Sequence, residues 1–110
     1  MRYSITMIVL FAAAVLEVSG DAVMRKGVYS TSFATRLVFL LAGGIALAGY
    51  GYAVNRVTWD FGKLLGVYVA FFFIVAQLSY WIIDGRKPTL TIILGGILII
   101  AGGYIVSRGQ

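Results

Sequence analysis

The stretch Ala12-Ala-Ala-Val-Leu-Glu-Val-Ser-Gly-Asp-Ala-Val-Met-Arg-Lys26 decides how this chain is interpreted. Apolar and small side chains surround the carboxylate of Glu17, and the first cations after it are Arg25 and Lys26. A charged side chain at the depth of a lipid bilayer is costly and by default marks a functional site. We therefore interpret Glu17 as the centre of a site within a hydrophobic helix.

The composition favours a membrane protein over a soluble domain. Of the 110 residues, 61% are hydrophobic and 12% are charged, whereas soluble domains average about 25% charged residues. The chain has no cysteine and no histidine, so we predict no disulfide, no metal site and no cofactor. The net charge of +5 is spread over loops and ends, which favours contact with lipid headgroups and predicts no binding of nucleic acid.

Charged residues divide the chain into four apolar segments. Leu37–Val54, Leu64–Ile83 and Pro88–Ser107 carry no charge, and only Glu17 and Asp21 interrupt the first segment. A helix of about 20 residues crosses the hydrocarbon core, and a helix satisfies its own backbone hydrogen bonds in lipid. We predict an all-α membrane protein with a single transmembrane domain over residues 1–110 and helices at about residues 4–24, 36–55, 63–83 and 89–107.

Small side chains surround Glu17 on the predicted helix. Because the positions three and four residues away share its face, its neighbours are Ala13, Ala14, Gly20 and Asp21. Small residues let another helix or a ligand come close. The uncharged cores of the other helices offer no Lys or Arg, so we favour a carboxyl group that holds either a proton or a cation. The alternative is a structural Glu17 that pairs with a basic residue.

Four further polar or aromatic residues have two interpretations each. Asp21 is either a second carboxylate in the cation path or the interfacial partner of Arg25, four residues on. Tyr68 either stacks on an organic cation or fills the core. Tyr50 and Tyr52 either form a pocket wall or anchor the helix at the membrane interface.

The fourth segment carries two pairs of glycines at a seven-residue spacing. Gly95 pairs with Gly102, and Gly96 pairs with Gly103. A seven-residue repeat returns to one face of a helix after two turns, and small residues there form a groove for another helix. We predict that these four glycines form a dimer interface; packing within one chain is the alternative.

Cations are almost evenly divided between the two predicted membrane surfaces. One side carries Arg2, Arg56, Lys63 and Arg108, and the other carries Arg25, Lys26, Arg36, Arg86 and Lys87. The positive-inside rule therefore selects no orientation. A chain that inserts both ways can form an antiparallel homodimer, which is an inverted repeat made from two copies.

These features resemble the small multidrug resistance family over essentially the whole chain. The resemblance rests on four helices in about this length, on Glu17-Val-Ser-Gly20 followed by Met24-Arg-Lys26, and on the glycine heptad of the fourth helix. The second half is most similar to the YnfA-like branch, with Gly62-Lys63, Tyr68 and Ile83-Asp-Gly-Arg-Lys-Pro-Thr89 at matching spacing.

The resemblance implies an antiparallel homodimer in the bacterial inner membrane that exchanges protons for cations. It makes Glu17 the carboxylate shared by proton and substrate, and it puts Tyr68 where drug-exporting members have a tryptophan that packs on the substrate. The chain also departs from those members. Leu65 stands in place of a tyrosine, Asp21 in place of a neutral residue, and Val69-Ala70-Phe71 in place of the Gly-x-Gly that bends the third helix.

We therefore expect a proton-coupled exporter of small organic cations, including aromatic or quaternary ammonium ones. Its expected partners are the cation, protons, membrane lipid and a second copy of the chain. One alternative is an exporter of guanidinium-like or polyamine cations with Asp21 as the second anion. Another is a membrane scaffold or regulatory subunit whose Glu17 docks on a basic residue of a partner helix. The chain lacks His, Cys and a second deep carboxylate, so we predict no enzyme.

Overall fold

Four helices account for most of the computed structural model, which describes residues 3–109. In chain order they are α1 (Tyr3–Val28), α2 (Phe33–Asn55), α3 (Phe61–Asp84) and α4 (Leu90–Ser107). Short loops join them. Met1, Arg2 and Gln110 belong to the predicted domain of residues 1–110 but lie outside the described residues. Arg2 is also one of the cations in the predicted charge balance.

The first helix continues one turn beyond its predicted end at residue 24. Arg25 and Lys26 lie in its last turn, where cations interact favourably with the negative end of the helix dipole. The guanidinium carbon of Arg25 lies 5.3 Å from the ring centre of Tyr29. These contacts stabilise helical backbone at a position where the charges alone suggested a loop.

Local side chains set the other helix ends. The hydroxyls of Ser32 and Thr89 accept hydrogen bonds from the first turns of α2 and α4, which satisfies backbone donors that have no partner within the helix. Gly85 ends α3 with a left-handed backbone at φ 69°. Glycine adopts this conformation without the steric cost that a Cβ atom imposes.

All four helices are long and apolar enough to span a membrane. The shortest, α4, has 18 residues, and at about 1.5 Å per residue it is about 27 Å long, close to the hydrocarbon thickness of about 30 Å. Large apolar side chains are exposed along every helix, as expected where lipid is the solvent. The fold is therefore all-helical, with four helices capable of crossing a bilayer.

The helices form a flat arrangement in which α1 and α3 occupy the centre. Helix α1 contacts α2 and α3, whereas the backbone of α4 approaches only α3. The resulting order α2–α1–α3–α4 gives a body of 49 × 35 × 19 Å. The buried core lies mainly between α1 and α3, with Leu10, Ala14, Leu64 and Val67 among its members. One face of each outer helix therefore has no neighbour within the described chain.

The four glycines of α4 divide into two different environments. Gly96 and Gly103 are buried against Phe73 and Ala70 of α3, and a Cβ atom on Gly103 would lie 2.9 Å from the Cβ atom of Ala70. A Cβ atom on Gly95 or Gly102 would meet nothing within 4 Å. Gly96 and Gly103 therefore serve packing within the chain, the alternative to the predicted dimer interface. Only Gly95 and Gly102 remain open to a second copy.

Replacing Gly103 by valine should destabilise the fold, because α3 and α4 would have to separate. Overpacking of this kind costs about 1–3 kcal/mol. The expected result is a lower thermal unfolding midpoint in detergent micelles. The matched control is Gly102→Val, whose side chain projects into open space and should leave the midpoint of the monomer unchanged. Equal midpoints for the two variants would contradict the described α3–α4 packing.

Candidate functional site

A hydrogen bond between α1 and α3 forms the centre of the candidate site. The hydroxyl of Tyr68 donates to Oε1 of Glu17 at a distance of 2.6 Å. Tyr68 is only 4% exposed, whereas Glu17 is half-buried. This contact fixes one carboxylate oxygen of Glu17 against α3.

Aromatic rings from α2 and α3 surround this hydrogen bond. The ring of Tyr50 stacks on the ring of Tyr68 with centroids 5.4 Å apart and an angle of 28°. The centroid of the Phe72 ring lies 6.4 Å from that of Tyr68. Three helices thus converge on Glu17, which lies near the middle of α1.

A pocket of about 260 Å³ adjoins these residues. Half-buried and exposed side chains line much of it, so it opens onto the surface of the chain and is not enclosed. This volume is slightly below the 300–1,000 Å³ typical of small-molecule sites. The lining residues are Glu17, Tyr50, Leu65, Tyr68, Val69 and Phe72.

The electrostatic surroundings of Glu17 are acidic and aromatic. Within residues 3–109, no lysine or arginine forms an ion pair with Glu17, and none lines the pocket. Asp21 is exposed one turn further along α1, and both carboxylates lie within electrostatic range of the Tyr50 and Tyr68 hydroxyls. Arg25 stacks over Tyr29; in the described part of the chain no salt bridge joins it to Asp21. Among the described residues, the lining of the pocket therefore contains one carboxylate and no cationic side chain.

The other predicted site residues lie outside the pocket. Ala13 and Ala14 are buried in the core of the chain. Gly20 packs against α2, where a Cβ atom would lie 3.1 Å from the Cβ atom of Ala46. These small residues bring the helices together and so place Glu17, but they do not line the cavity.

Tyr52 does not form a pocket wall. It is 68% exposed, and its hydroxyl accepts a hydrogen bond of 3.3 Å from the guanidinium of Arg56. The guanidinium also lies 5.8 Å from the ring centre of Tyr52. The alternative interpretation, an anchor near the membrane surface, fits this contact. Tyr50 alone of this pair lines the cavity.

Three pocket residues were not among the predicted site residues: Leu65, Val69 and Phe72. Together with Tyr68 they follow the spacing of one helix face. Extending the helical period from Tyr68 in both directions would therefore have predicted these three residues.

No group of three His, Cys, Asp or Glu side chains in residues 3–109 is placed to hold a metal ion. The pocket offers one carboxylate, the phenols of Tyr50 and Tyr68, and apolar or aromatic walls.

Comparison with known proteins supports a membrane location. The chain is 29% identical over 70 residues to a UPF0060 membrane protein from Herpetosiphon aurantiacus, and the match covers 62% of this chain and 64% of that relative. No protein-family model and no solved structure matches the chain. Together with the four apolar helices, the similarity indicates a multi-pass membrane protein. The relative's name assigns it no activity, so the resemblance to the small multidrug resistance family remains a prediction.

The Tyr68→Phe variant tests the central hydrogen bond. Phenylalanine preserves the ring that stacks on Tyr50 but removes the donor to Glu17, so the infrared carboxyl absorption of Glu17 should shift. Glu17 is the chain's only glutamate, and ¹³C-labelled glutamate therefore isolates its band. The matched control is Tyr52→Phe, which removes a hydroxyl outside the pocket and should leave the band in place. An unshifted band in Tyr68→Phe would contradict the hydrogen bond.

Proposed function

We propose that this protein is a proton-coupled exporter of small organic cations, including aromatic or quaternary ammonium ones. The observation that carries the proposal is the carboxylate of Glu17 in mid-helix, hydrogen-bonded to Tyr68 at 2.6 Å in an aromatic pocket that no lysine or arginine lines. An acidic group within a membrane span is costly to maintain and is usually retained for transport or proton transfer. The four helices and the small pocket beside Glu17 suit a carrier of small molecules.

The site can exchange a proton for a cation because both need the same carboxylate. When Glu17 is ionised, its negative charge attracts the cation, and the faces of Tyr50, Tyr68 and Phe72 add cation–π attraction. When Glu17 is protonated, this charge disappears and the cation is released. The Tyr68 hydroxyl stabilises the ionised carboxylate. In this proposal the other carboxylate oxygen of Glu17 contacts the incoming ligand.

A second copy of the chain would complete the carrier. The pocket opens onto the chain surface, and α2 and α4 each leave one face uncovered. In inverted-repeat transporters the substrate lies near the midplane between two oppositely oriented halves. We propose an antiparallel homodimer in the bacterial inner membrane, with one Glu17 from each protomer. The nearly equal numbers of cations at the two predicted membrane surfaces support insertion of the chain in both orientations.

Proton release from purified protein tests this function. Adding a quaternary ammonium cation to wild-type protein in weak buffer should release protons, whereas Glu17→Gln should release none. Asp84→Asn is the matched control, because it removes a carboxylate at the far end of α3 and should behave like wild type. Undiminished release from Glu17→Gln would contradict the proposal. Absence of release with every cation tested would favour the scaffold or regulatory subunit instead.

One observation favours the alternative substrate class of guanidinium-like or polyamine cations. Asp21 lies one turn from Glu17 and within electrostatic range of the same two tyrosines. Two carboxylates spaced along one helix suit a ligand with two positive groups or several N–H donors better than they suit a quaternary ammonium ion.

The Asp21→Asn variant separates the two substrate classes. If Asp21 contacts the ligand, its loss removes about 1 kcal/mol of attraction, and affinity for a diamine should fall about fivefold relative to a quaternary ammonium. Isothermal titration of both ligands measures this ratio, and proton release from Glu17 should persist. An unchanged ratio would exclude Asp21 from the cation path.

A further inference from the structure

A groove remote from Glu17 lies between α1 and α4, with α3 as its floor. It exists because both helices pack on α3 but do not approach each other. We call it the α1–α4 groove. Its volume is about 200 Å³, and its lining is almost wholly apolar, with Met7, Phe71, Ile74 and Ile100 along its length and Tyr3 and Tyr104 at one end.

At the tyrosine end of the α1–α4 groove, Tyr3 contacts a tryptophan ring, and that ring contacts a cation. Tyr3 and Trp59 have ring centroids 6.0 Å apart, and the ammonium of Lys63 lies 4.5 Å from the ring centre of Trp59. Tyr and Trp prefer the level of lipid headgroups, where one end of the ring is apolar and the other is polar. This end of the groove therefore lies at the membrane surface.

A second cation lies at the same end. A Cβ atom on Gly66 would lie 2.9 Å from Cγ1 of Val106, so the start of α3 contacts the end of α4. Lys63 precedes Gly66 and Arg108 follows Val106, so both cations lie towards the same membrane surface. Asp60 is the carboxylate at this end of α3. Lys63 and Arg108 therefore outnumber Asp60 among the charged side chains that the structure describes at this end.

We propose that the α1–α4 groove binds an anionic phospholipid, with an acyl chain along the apolar channel and the phosphate near Lys63 and Arg108. The charge favours this occupant over a zwitterionic lipid, since basic residues near the membrane surface attract anionic lipid. A whole helix, about 10 Å across, does not fit a channel of about 200 Å³. This site requires no transport activity and stands apart from Glu17.

The two tryptophans of the chain provide a matched pair of reporters. Trp59 adjoins the groove, and Trp81 lies at the opposite end of α3, where Lys87 stands 6.0 Å from its ring centre. The experiment uses Trp81→Phe to leave Trp59 alone and Trp59→Phe to leave Trp81 alone. Each full-length variant is placed in phosphatidylcholine vesicles that contain one tenth brominated phosphatidylglycerol or brominated phosphatidylcholine, and quenching of fluorescence is compared.

The proposal predicts that brominated phosphatidylglycerol associates with Trp59 about fivefold more strongly than brominated phosphatidylcholine. Trp81 should show little preference. Adding Lys63→Gln and Arg108→Gln to the Trp59 reporter should abolish the preference, whereas Arg86→Gln and Lys87→Gln, which remove the same charge from the opposite surface, should preserve it.

Three results would overturn the proposal. Equal quenching of Trp59 by the two lipids would show no selectivity for the anionic headgroup. An equal preference at Trp81 would show general attraction to a cationic surface and no groove site. Quenching of Trp59 by neither lipid would show that no lipid chain occupies the groove beside it.

Discussion

The structure depends on how one carboxylate is accommodated within a membrane-spanning helix. Glu17 lies in mid-helix, and the hydroxyl of Tyr68 donates to it at 2.6 Å while aromatic rings surround the pair. An unpaired charge in an apolar medium is costly, and a hydrogen bond to the charged form offsets part of this cost. A single donor on one oxygen stabilises the carboxylate without neutralising it. The proposed exchange of protons and cations at Glu17 depends on this balance, because the carboxylate must hold either ligand.

Helix packing determines which surfaces are available for ligands and partners. Small residues let α1 approach α2 closely, as at Gly20 and Gly43, where a Cβ atom on Gly43 would lie 2.9 Å from the backbone oxygen of Gly20. Gly103 does the same between α4 and α3. Because the helices follow the order α2–α1–α3–α4, the arrangement leaves several openings beside α3. One of them contains Glu17 and its aromatic wall, and another is the apolar α1–α4 groove with cations at its end.

The sequence predicted the helices and singled out Glu17 and Tyr68, but it did not predict which other residues line the pocket beside them. Uncharged segments identify the helices because lipid excludes charge, and Glu17 is conspicuous for the same reason. Tyr50 and Tyr52 could not both face the pocket, because residues two apart on a helix point in nearly opposite directions. The adjacent glycines of α4 likewise point to different sides, and only the position of α3 decides that Gly103 is buried while Gly102 is open. Leu65, Val69 and Phe72 could have been found by extending the helical period around Tyr68.

Carboxyl ¹³C NMR of Glu17 tests the central claim most directly, since labelled glutamate gives one signal from this chain. The signal is followed from acid to alkaline pH in detergent-solubilised protein, first alone and then with a saturating organic cation. If proton and cation compete for Glu17, the bound cation favours the ionised carboxylate, so the pH at which the signal changes must fall. The account is contradicted if the signal changes at the same pH with and without a quaternary ammonium, a guanidinium or a diamine.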